Sequence, residues 1–143
     1  AWGKYSDTIL HNAQVTLLHS VDRWAGDMGH GPKQMAAAEA LLARHGDRSV
    51  VVRQTFTQAA ALFCADELDF VYVDGYAHTG QDNGRTLAEW WPKVKPGGIF
   101  AGHDYCYDRF PQTVNAVYQF CASRGLDFDI TTEPLSSWFL IKG

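Results

Sequence analysis

The sequence predicts an α/β protein with a mostly parallel sheet, helices on both of its faces and a C-terminal antiparallel hairpin. Two observations predict this class. Short apolar runs rich in β-branched residues, which are typical of buried parallel strands, alternate with segments of helical periodicity. The last two apolar runs are joined by a connection too short for a parallel crossover, which needs about a dozen residues, so an antiparallel pair is favoured.

Six strands are predicted. Four short apolar runs make up the parallel part of the sheet, and they cover residues 15–21, 50–52, 70–73 and 99–101. Residues 128–132 and 138–141 form the hairpin. The segment 95–98, Lys-Pro-Gly-Gly, predicts a turn into the fourth strand, because proline fixes φ and glycine readily adopts positive φ.

Helices are predicted where apolar residues recur every three or four positions. Pro32 begins one helix at a first-turn position, and Gly46 ends it. Similar stripes predict helices over residues 56–64, 87–91 and 114–121, the last of them closed by Gly125. Strands and helices therefore alternate along one chain, as the fold class requires.

Length and composition restrict the function class. A chain of 143 residues is suited to one domain, residues 1–143, with a single core. The net charge is -4, so the basic surface of a nucleic-acid-binding protein is not expected. No apolar run approaches the roughly 18 residues of a membrane span, and the first residues do not resemble a secretory signal. We therefore predict a cytoplasmic protein without a nucleic-acid or membrane partner.

Polar residues follow each of the four parallel strands at the carboxyl end, where open α/β sheets bind their ligands. Asp22 follows the first strand and Gln54 follows the second. Asp22 is suited to accept hydrogen bonds from a ribose diol, and it is equally suited to cap a turn. Trp24 offers a flat apolar face to a purine, or it packs in the core.

A second candidate site consists of Asp74, His103 and Asp104, which follow the third and fourth strands. Neighbouring strands lie about 5 Å apart, so side chains from both ends are able to share one hard cation. Such a cation would lower the pKa of a bound hydroxyl, and His78 or His103 would accept the proton. The alternative is that both histidines are loop residues with local hydrogen bonds.

Three segments resemble a known family. The run DFVYVDGYAH, the segment LAEWWPKVKPGG and the run IFAGHDY are similar to the fourth and fifth strands of class I S-adenosylmethionine-dependent methyltransferases, and most similar to a branch of small O-methyltransferases. Residues 3–10 resemble the end of the family's glycine-rich loop and the start of its first helix. The resemblance covers nearly the whole chain. It implies a Rossmann-like fold that transfers a methyl group from S-adenosylmethionine to an oxygen of a small-molecule acceptor.

The resemblance also implies roles for individual residues. The cofactor-binding residues that it implies are Gly3, Asp22, Trp24, Thr55, Phe56 and Asp74. The catalytic residues that it implies are His103, His78 and Asp74, and the ligands of Mg²⁺ or another divalent cation are Asp74, His103 and Asp104. His78 follows Asp74 by four residues instead of the family's usual three, so its match is out of register.

The family's first strand and the first glycine of its loop do not appear in this sequence, which begins at Ala1. We therefore expect a domain that is N-terminally incomplete relative to the family. Direct pairing of the neighbouring strands, or a second copy in a homo-oligomer, would close the gap. Two other functions stay open: a catalytically inactive, truncated methyltransferase-like binding module, and a nicotinamide-dependent oxidoreductase. The oxidoreductase is disfavoured because the sequence lacks a complete GxGxxG between strand and helix.

Overall fold

A computed structural model describes residues 2–143, except for the side chain of Asp27. The chain divides into two compact units, residues 1–59 and residues 60–143. Helices and strands alternate through both units, and the predicted α/β class is confirmed. Within the described residues, no helix combines the length and the apolar character that crossing a membrane requires.

The first unit contains two parallel strands, β1 (Leu18–Asp22) and β2 (Ser49–Arg53). Its helices are α1 (Lys4–Asn12), α2 (Pro32–Leu42) and α3 (Phe56–Ala60). The ladder runs from Leu18 opposite Ser49 to Asp22 opposite Arg53. Asp22 is therefore the last residue of β1, at the carboxyl edge of this sheet.

Helix α1 packs closely against α2 at Gly3. A Cβ atom on Gly3 would lie 3.2 Å from the Cα and Cβ atoms of Ala38, and the φ angle of +73° also favours glycine. Asp7 in α1 accepts hydrogen bonds from Arg44 and His45, which follow α2. These contacts join the start of the chain to the second helix.

The second unit contains four strands in the order β3, β4, β6, β5. They are β3 (Leu68–Val73), β4 (Val94–Gly102), β5 (Asp129–Ile130) and β6 (Trp138–Ile141), and its helices are α4 (Gly80–Asn83), α5 (Arg85–Trp90) and α6 (Pro111–Ala122). β3 and β4 are parallel, whereas β6 is antiparallel to both β4 and β5. The predicted C-terminal antiparallel hairpin is confirmed.

Direct pairing of the neighbouring strands, one of the alternatives for closing the expected gap, is not observed among the described residues. In the described part of the chain, β1 pairs only with β2, and β3 pairs only with β4. The backbone hydrogen bonds therefore form one sheet of two strands and one of four. Each sheet keeps the carboxyl ends of its parallel strands side by side.

The separate turn predicted at residues 95–98 lies inside β4. Leu68 pairs with Val94 but Phe70 pairs with Ile99, so the residues between them bulge out of the ladder. Gly97 has a φ of +79°, as the turn chemistry predicted, and its N–H donates to the carbonyl of Lys142 at 2.7 Å. Lys142, which follows β6, also donates its N–H to the Gly98 carbonyl at 2.9 Å, so the bulge is hydrogen-bonded to the chain beyond that strand.

Other boundaries also differ from the prediction. The first strand begins at Leu18, the helix predicted over 56–64 ends at Ala60, and β5 has only two residues. Residues 80–84 all have positive φ, and they form a left-handed turn around α4 that the sequence analysis did not predict. Tertiary packing holds this turn, because a Cβ on Gly80 would lie 2.6 Å from the carbonyl of Gln112.

Aromatic rings fill the core of the second unit. Phe100 packs against Phe120 and Trp138, with ring centroids 5.9 and 5.2 Å apart. Trp138 also covers Gly102, where a Cβ atom would lie 2.6 Å from the indole ring. The end of β4 is therefore held by close contact, and the residues that follow it start from a fixed position.

Candidate cofactor and acceptor sites

The carboxylate of Asp22 is held on both oxygens. Its Oδ1 accepts the backbone N–H of Trp24 at 3.0 Å, and its Oδ2 lies 3.0 Å from Nδ1 of His30. An ionised carboxylate only accepts hydrogen bonds, so Nδ1 of His30 carries the proton and donates it. The Asp22 side chain is 18% exposed and that of His30 is 42% exposed. The acid predicted to bind ribose is thus covered by an imidazole.

The loop between β1 and α2 carries His30. Trp24, Gly26, Met28 and Gly29 all have positive φ, and the loop is closed by a hydrogen bond from the Gly26 N–H to the His30 carbonyl at 2.9 Å. No described atom beyond the neighbouring residues lies within 4 Å of where a Cβ on Gly26 or Gly29 would stand, and Met28 is 78% exposed. These three positions therefore lie at the surface of the loop.

Gln54 provides a second polar group at the carboxyl edge of this sheet. It follows Arg53, the residue opposite Asp22 in the ladder, and its Oε1 is buried without a hydrogen-bond partner among the described residues. A buried acceptor that lacks a donor is unfavourable, so a ligand that donates there would stabilise the site. An adenosyl group carries a diol for Asp22 and an exocyclic amine for Gln54. The residues at this edge fit such a group.

The other residues predicted to contact the cofactor have visible structural roles. Gly3 allows the close approach of α1 and α2, and Trp24 is only 2% exposed, as a core tryptophan is. Thr55 caps α3, because its Oγ1 accepts the backbone N–H of Gln58 at 3.2 Å. Phe56 is the first residue of that helix. Their roles in cofactor binding stay predictions.

The structure brings Asp74, His103 and Asp104 together. Asp74 follows β3 directly, and the N–H of His103 extends the β3–β4 ladder to the Val73 carbonyl at 3.0 Å. Their potential ligand atoms all lie within 4.8 Å of one another. His103 Nδ1 is 2.9 Å from Asp104 Oδ1 and 4.0 Å from Asp74 Oδ1. Adjacent parallel strand ends therefore produce the grouping, as the sequence reasoning expected.

The contact with Asp104 orients the imidazole of His103. Nδ1 donates to the carboxylate, which leaves Nε2 as the nitrogen that is able to meet another partner. A carboxylate that orients an imidazole in this way is a common arrangement for a general base. Asp104 has a φ of +62°, an unfavourable conformation for a residue other than glycine, which is often found at functional sites.

The same three residues fit a hard cation. At a metal–oxygen distance of about 2.1 Å, two ligand atoms are about 3 Å apart at right angles and at most about 4.2 Å apart. The two distances from His103 Nδ1, 2.9 and 4.0 Å, lie within that range, and the ligand atoms of all three residues lie within 4.8 Å of one another. One nitrogen cannot donate to Asp104 and bind a cation at the same time, so Nδ1 would have to lose its proton to become a ligand.

His78, the other predicted base, is not part of this cluster. It lies in the turn after β3 and is exposed, with its ring against Phe110 at a centroid distance of 5.1 Å. The residue that is out of register in the sequence thus also lies outside the cluster in the structure. Its catalytic role stays a prediction that the geometry does not support.

Polar residues near the cluster were not found by the sequence reasoning. Tyr72 shares the exposed side of β3 with Asp74, and its hydroxyl lies 2.8 Å from Ser137 Oγ, which donates to Glu133 at 3.3 Å. A hydrogen bond from Thr131 is the main reason that the pKa of Glu133 lies below its usual value. Strand pairing brings Tyr72 close to Ser137, which is distant in sequence. The sequence does not specify the register of that pairing.

Comparison with known proteins identifies the family. A protein-family profile described as "Methyltransferase domain" matches residues 6–105, well over half of the chain. A comparison with curated proteins finds no significant match. Among solved structures, the O-methyltransferase NovP has 17% identity and a TM-score of 0.67, and the match covers 99% of this chain and 69% of NovP.

Two other solved structures are similar to this chain. An rRNA methylase from Streptococcus thermophilus has 11% identity and a TM-score of 0.63, with 96% of this chain and 78% of that chain covered. A protein from Corynebacterium glutamicum has 15% identity and a TM-score of 0.66, with 89% of this chain covered; the present chain spans 61% of its length. At these identities the structures support the fold alone. By the family profile and the fold together, the chain belongs to the class I S-adenosylmethionine-dependent methyltransferases.

Proposed function

We propose that this chain transfers a methyl group from S-adenosylmethionine to an oxygen of a small-molecule acceptor. The observation that carries the proposal is the cluster at the ends of β3 and β4. Asp104 holds His103 at 2.9 Å, and Asp74 lies beside them with 58% of its side chain exposed. A chain of this family that presents an oriented imidazole to solvent has the group needed to deprotonate an acceptor hydroxyl.

S-adenosylmethionine supplies an electrophilic methyl group on a sulfonium when it is bound. In our proposal Asp22 accepts hydrogen bonds from the ribose diol, and Gln54 accepts one from the adenine amine. His103 takes the proton of the acceptor hydroxyl on Nε2 while the oxygen forms its bond to the methyl carbon. The methyl group would come from the cofactor's sulfonium, whose carbon–sulfur bond would break as the bond to the acceptor oxygen forms, and this in-line displacement would need the reacting atoms to be about 3 Å apart.

A small acceptor is favoured over RNA, although one similar structure is an rRNA methylase. The chain carries 12 basic and 16 acidic residues, so its net charge of -4 opposes binding to a phosphate backbone. The two aspartates at the candidate acceptor site add to this opposition. The absence of a nucleic-acid or membrane partner and the cytoplasmic location stay predictions.

We also propose that Asp74, His103 and Asp104 bind Mg²⁺ or another divalent cation. Oxygen-rich sites of this kind suit hard cations, and a cation would favour the ionised form of an acceptor hydroxyl. The imidazole of His103 would act either as a base or as a metal ligand, because its Nδ1 donates a hydrogen bond to Asp104 in this structure.

A homo-oligomer is the partner that we propose. β3 is an edge strand of its sheet among the described residues, and Ile99 and Ile141 on that sheet are 39% and 67% exposed. Unpaired strand edges are templates for pairing with another chain. Size-exclusion chromatography with light scattering would measure this directly, and a monomer at all concentrations would contradict it.

An assay with radiolabelled S-adenosylmethionine tests the activity. The chain would be incubated with a panel of sugars, phenols and hydroxy acids, with Mg²⁺, with Mn²⁺ and with a chelator. We expect label in at least one hydroxyl acceptor, and loss of labelling in His103→Ala, whereas His11→Ala should remain active because His11 lies in α1, outside both candidate sites.

The outcomes separate the remaining possibilities. Labelling that depends on His103 but not on a divalent cation would support the base alone. Binding of S-adenosylmethionine without transfer to any acceptor would favour the binding-module alternative. No binding of cofactor or product would contradict the proposed function.

A further inference from the structure

The contact between His30 and Asp22 has a consequence for cofactor binding. The imidazole donates to Oδ2 of Asp22 at 3.0 Å, on the carboxylate that the proposed function assigns to the ribose diol. The other oxygen is already used by the Trp24 N–H. A diol that approaches Asp22 therefore meets a carboxylate whose oxygens both hold a donor.

His30 lies between Gly29 and Gly31 in the loop that follows β1. Its backbone carbonyl accepts the N–H of Gly26, a Cβ on Gly26 or Gly29 would meet no described atom within 4 Å beyond the neighbouring residues, and the ring itself is 42% exposed. On the other side, Gly31 is fixed, because its N–H donates to Oε1 of Gln34 in the first turn of α2 at 3.1 Å. The imidazole thus sits on a glycine-rich segment between two fixed points, β1 and α2.

The pair is also chemically suited to exchange. Asp22 receives one N–H from His30, and a ribose hydroxyl would supply another donor to the same oxygen. Asp22 would stay satisfied before and after the exchange. The free carboxylate would never be left in an 18% exposed position without its donor.

We propose that His30 is a latch on Asp22, which the ribose diol of the cofactor displaces. The latch stabilises the carboxylate in the cofactor-free chain and competes with the ligand for Oδ2. This inference rests on the proposed function, because it assumes that Asp22 binds the ribose. It makes an uncommon prediction: removal of a side chain at the cofactor site should increase affinity.

Calorimetry with S-adenosylhomocysteine, the demethylated product, tests the latch. We expect His30→Ala to bind this ligand about two- to tenfold more tightly than the wild type, since one net hydrogen bond no longer has to be exchanged. His30→Gln keeps an amide donor and should fall between the two. Met28→Ala is the matched control, because it truncates an exposed side chain of the same loop and should leave the affinity unchanged.

A second measurement follows the imidazole itself. In a ¹⁵N spectrum of the histidine side chains, Nδ1 of His30 should carry the proton in the cofactor-free chain, and its signal should change when S-adenosylhomocysteine saturates the protein. His11 in α1 should not respond. Damage to the fold would weaken binding, so only competition accounts for a gain in affinity.

The outcomes distinguish this inference from the function on which it rests. If the wild type binds and His30→Ala binds equally or more weakly, the latch is wrong and the proposed function stands. If neither the wild type nor any variant binds S-adenosylhomocysteine, both are overturned.

Discussion

Two aspartates at the ends of parallel strands, Asp22 and Asp74, are held in different ways. Asp22 ends β1 and is 18% exposed, with donors on both oxygens. Asp74 follows β3 and is 58% exposed, with its nearest cationic candidate, His103, at 4.0 Å. The first carboxylate is preorganised for hydrogen bonds, and the second is open to a ligand that brings its own charge. The carboxyl ends of two parallel strands thus hold their carboxylates in two different environments.

The difference extends to the backbone around each acid. Near Asp74 the sheet is tightly packed, because Gly102 lies under the ring of Trp138 and beside the Val73 carbonyl. After Asp22 the chain enters an open loop, in which a Cβ on Gly29 would meet nothing within 4 Å. A rigid strand end suits chemistry that needs fixed distances, whereas an open loop suits a ligand that must enter.

The largest expected change in the free energy of unfolding is for a substitution in the tightly packed region near Asp74. Gly102→Ala would place a methyl group 2.6 Å from both the indole of Trp138 and the carbonyl of Val73, and we expect it to lower the free energy of unfolding by about 3 kcal/mol. Gly29→Ala is the matched change in the open loop. It should cost only about 1 kcal/mol, for the positive φ alone. Urea unfolding measures both, and equal losses would contradict the contrast between the two regions.

The second prediction is that a divalent cation stabilises the fold through the cluster that contains Asp74 and not through Asp22. If Asp74, His103 and Asp104 bind Mn²⁺ or Mg²⁺, a hundredfold excess of the ion over its dissociation constant should stabilise the fold by about 2.7 kcal/mol. Asp104→Asn should abolish most of the rise in melting temperature, and Asp22→Asn should not. Asp69→Asn is a control at an exposed acid of β3 outside the cluster. No shift in the wild type would remove the cation from the account.

A third acid, Asp7, provides a reference for a carboxylate with a purely structural role. The hydrogen bond from Arg44, and then the one from His45, lowers its pKa below the usual value of about 4. Its stabilising contribution is therefore complete above that usual value and is lost as the pH falls through the lower pKa of the folded state. We expect Asp7→Asn to be less stable than the wild type at pH 6, and the difference to shrink below about pH 4. A difference that is constant with pH would contradict the ion-pair role.

Much of the fold was predictable because it depends on local patterns. Buried parallel strands read as apolar runs, and a short connection before Trp138 indicated the hairpin. The grouping of Asp74, His103 and Asp104 followed from the rule that parallel strands end at the same edge. These inferences need only periodicity and strand order.

The rest depends on contacts that no local pattern contains. His30 follows Asp22 by eight residues across a loop of glycines, so no period joins them. The left-handed turn at residues 80–84 is held by α6, where Gln81 donates to Thr113 at 3.1 Å. Gln54 appeared as an ordinary polar residue after β2, and only burial showed that its Oε1 lacks a donor in the described residues.

Binding of S-adenosylhomocysteine to the wild type and to Asp22→Asn is the most direct test of the central claim, that the carboxylate at the end of β1 holds the cofactor. The account predicts measurable binding by the wild type and an affinity about 10- to 100-fold lower in the variant, because hydrogen bonds to a charged group are lost. Asp47→Asn, at an exposed acid of the same unit, should bind like the wild type. Equal affinity of the wild type and Asp22→Asn would contradict the claim.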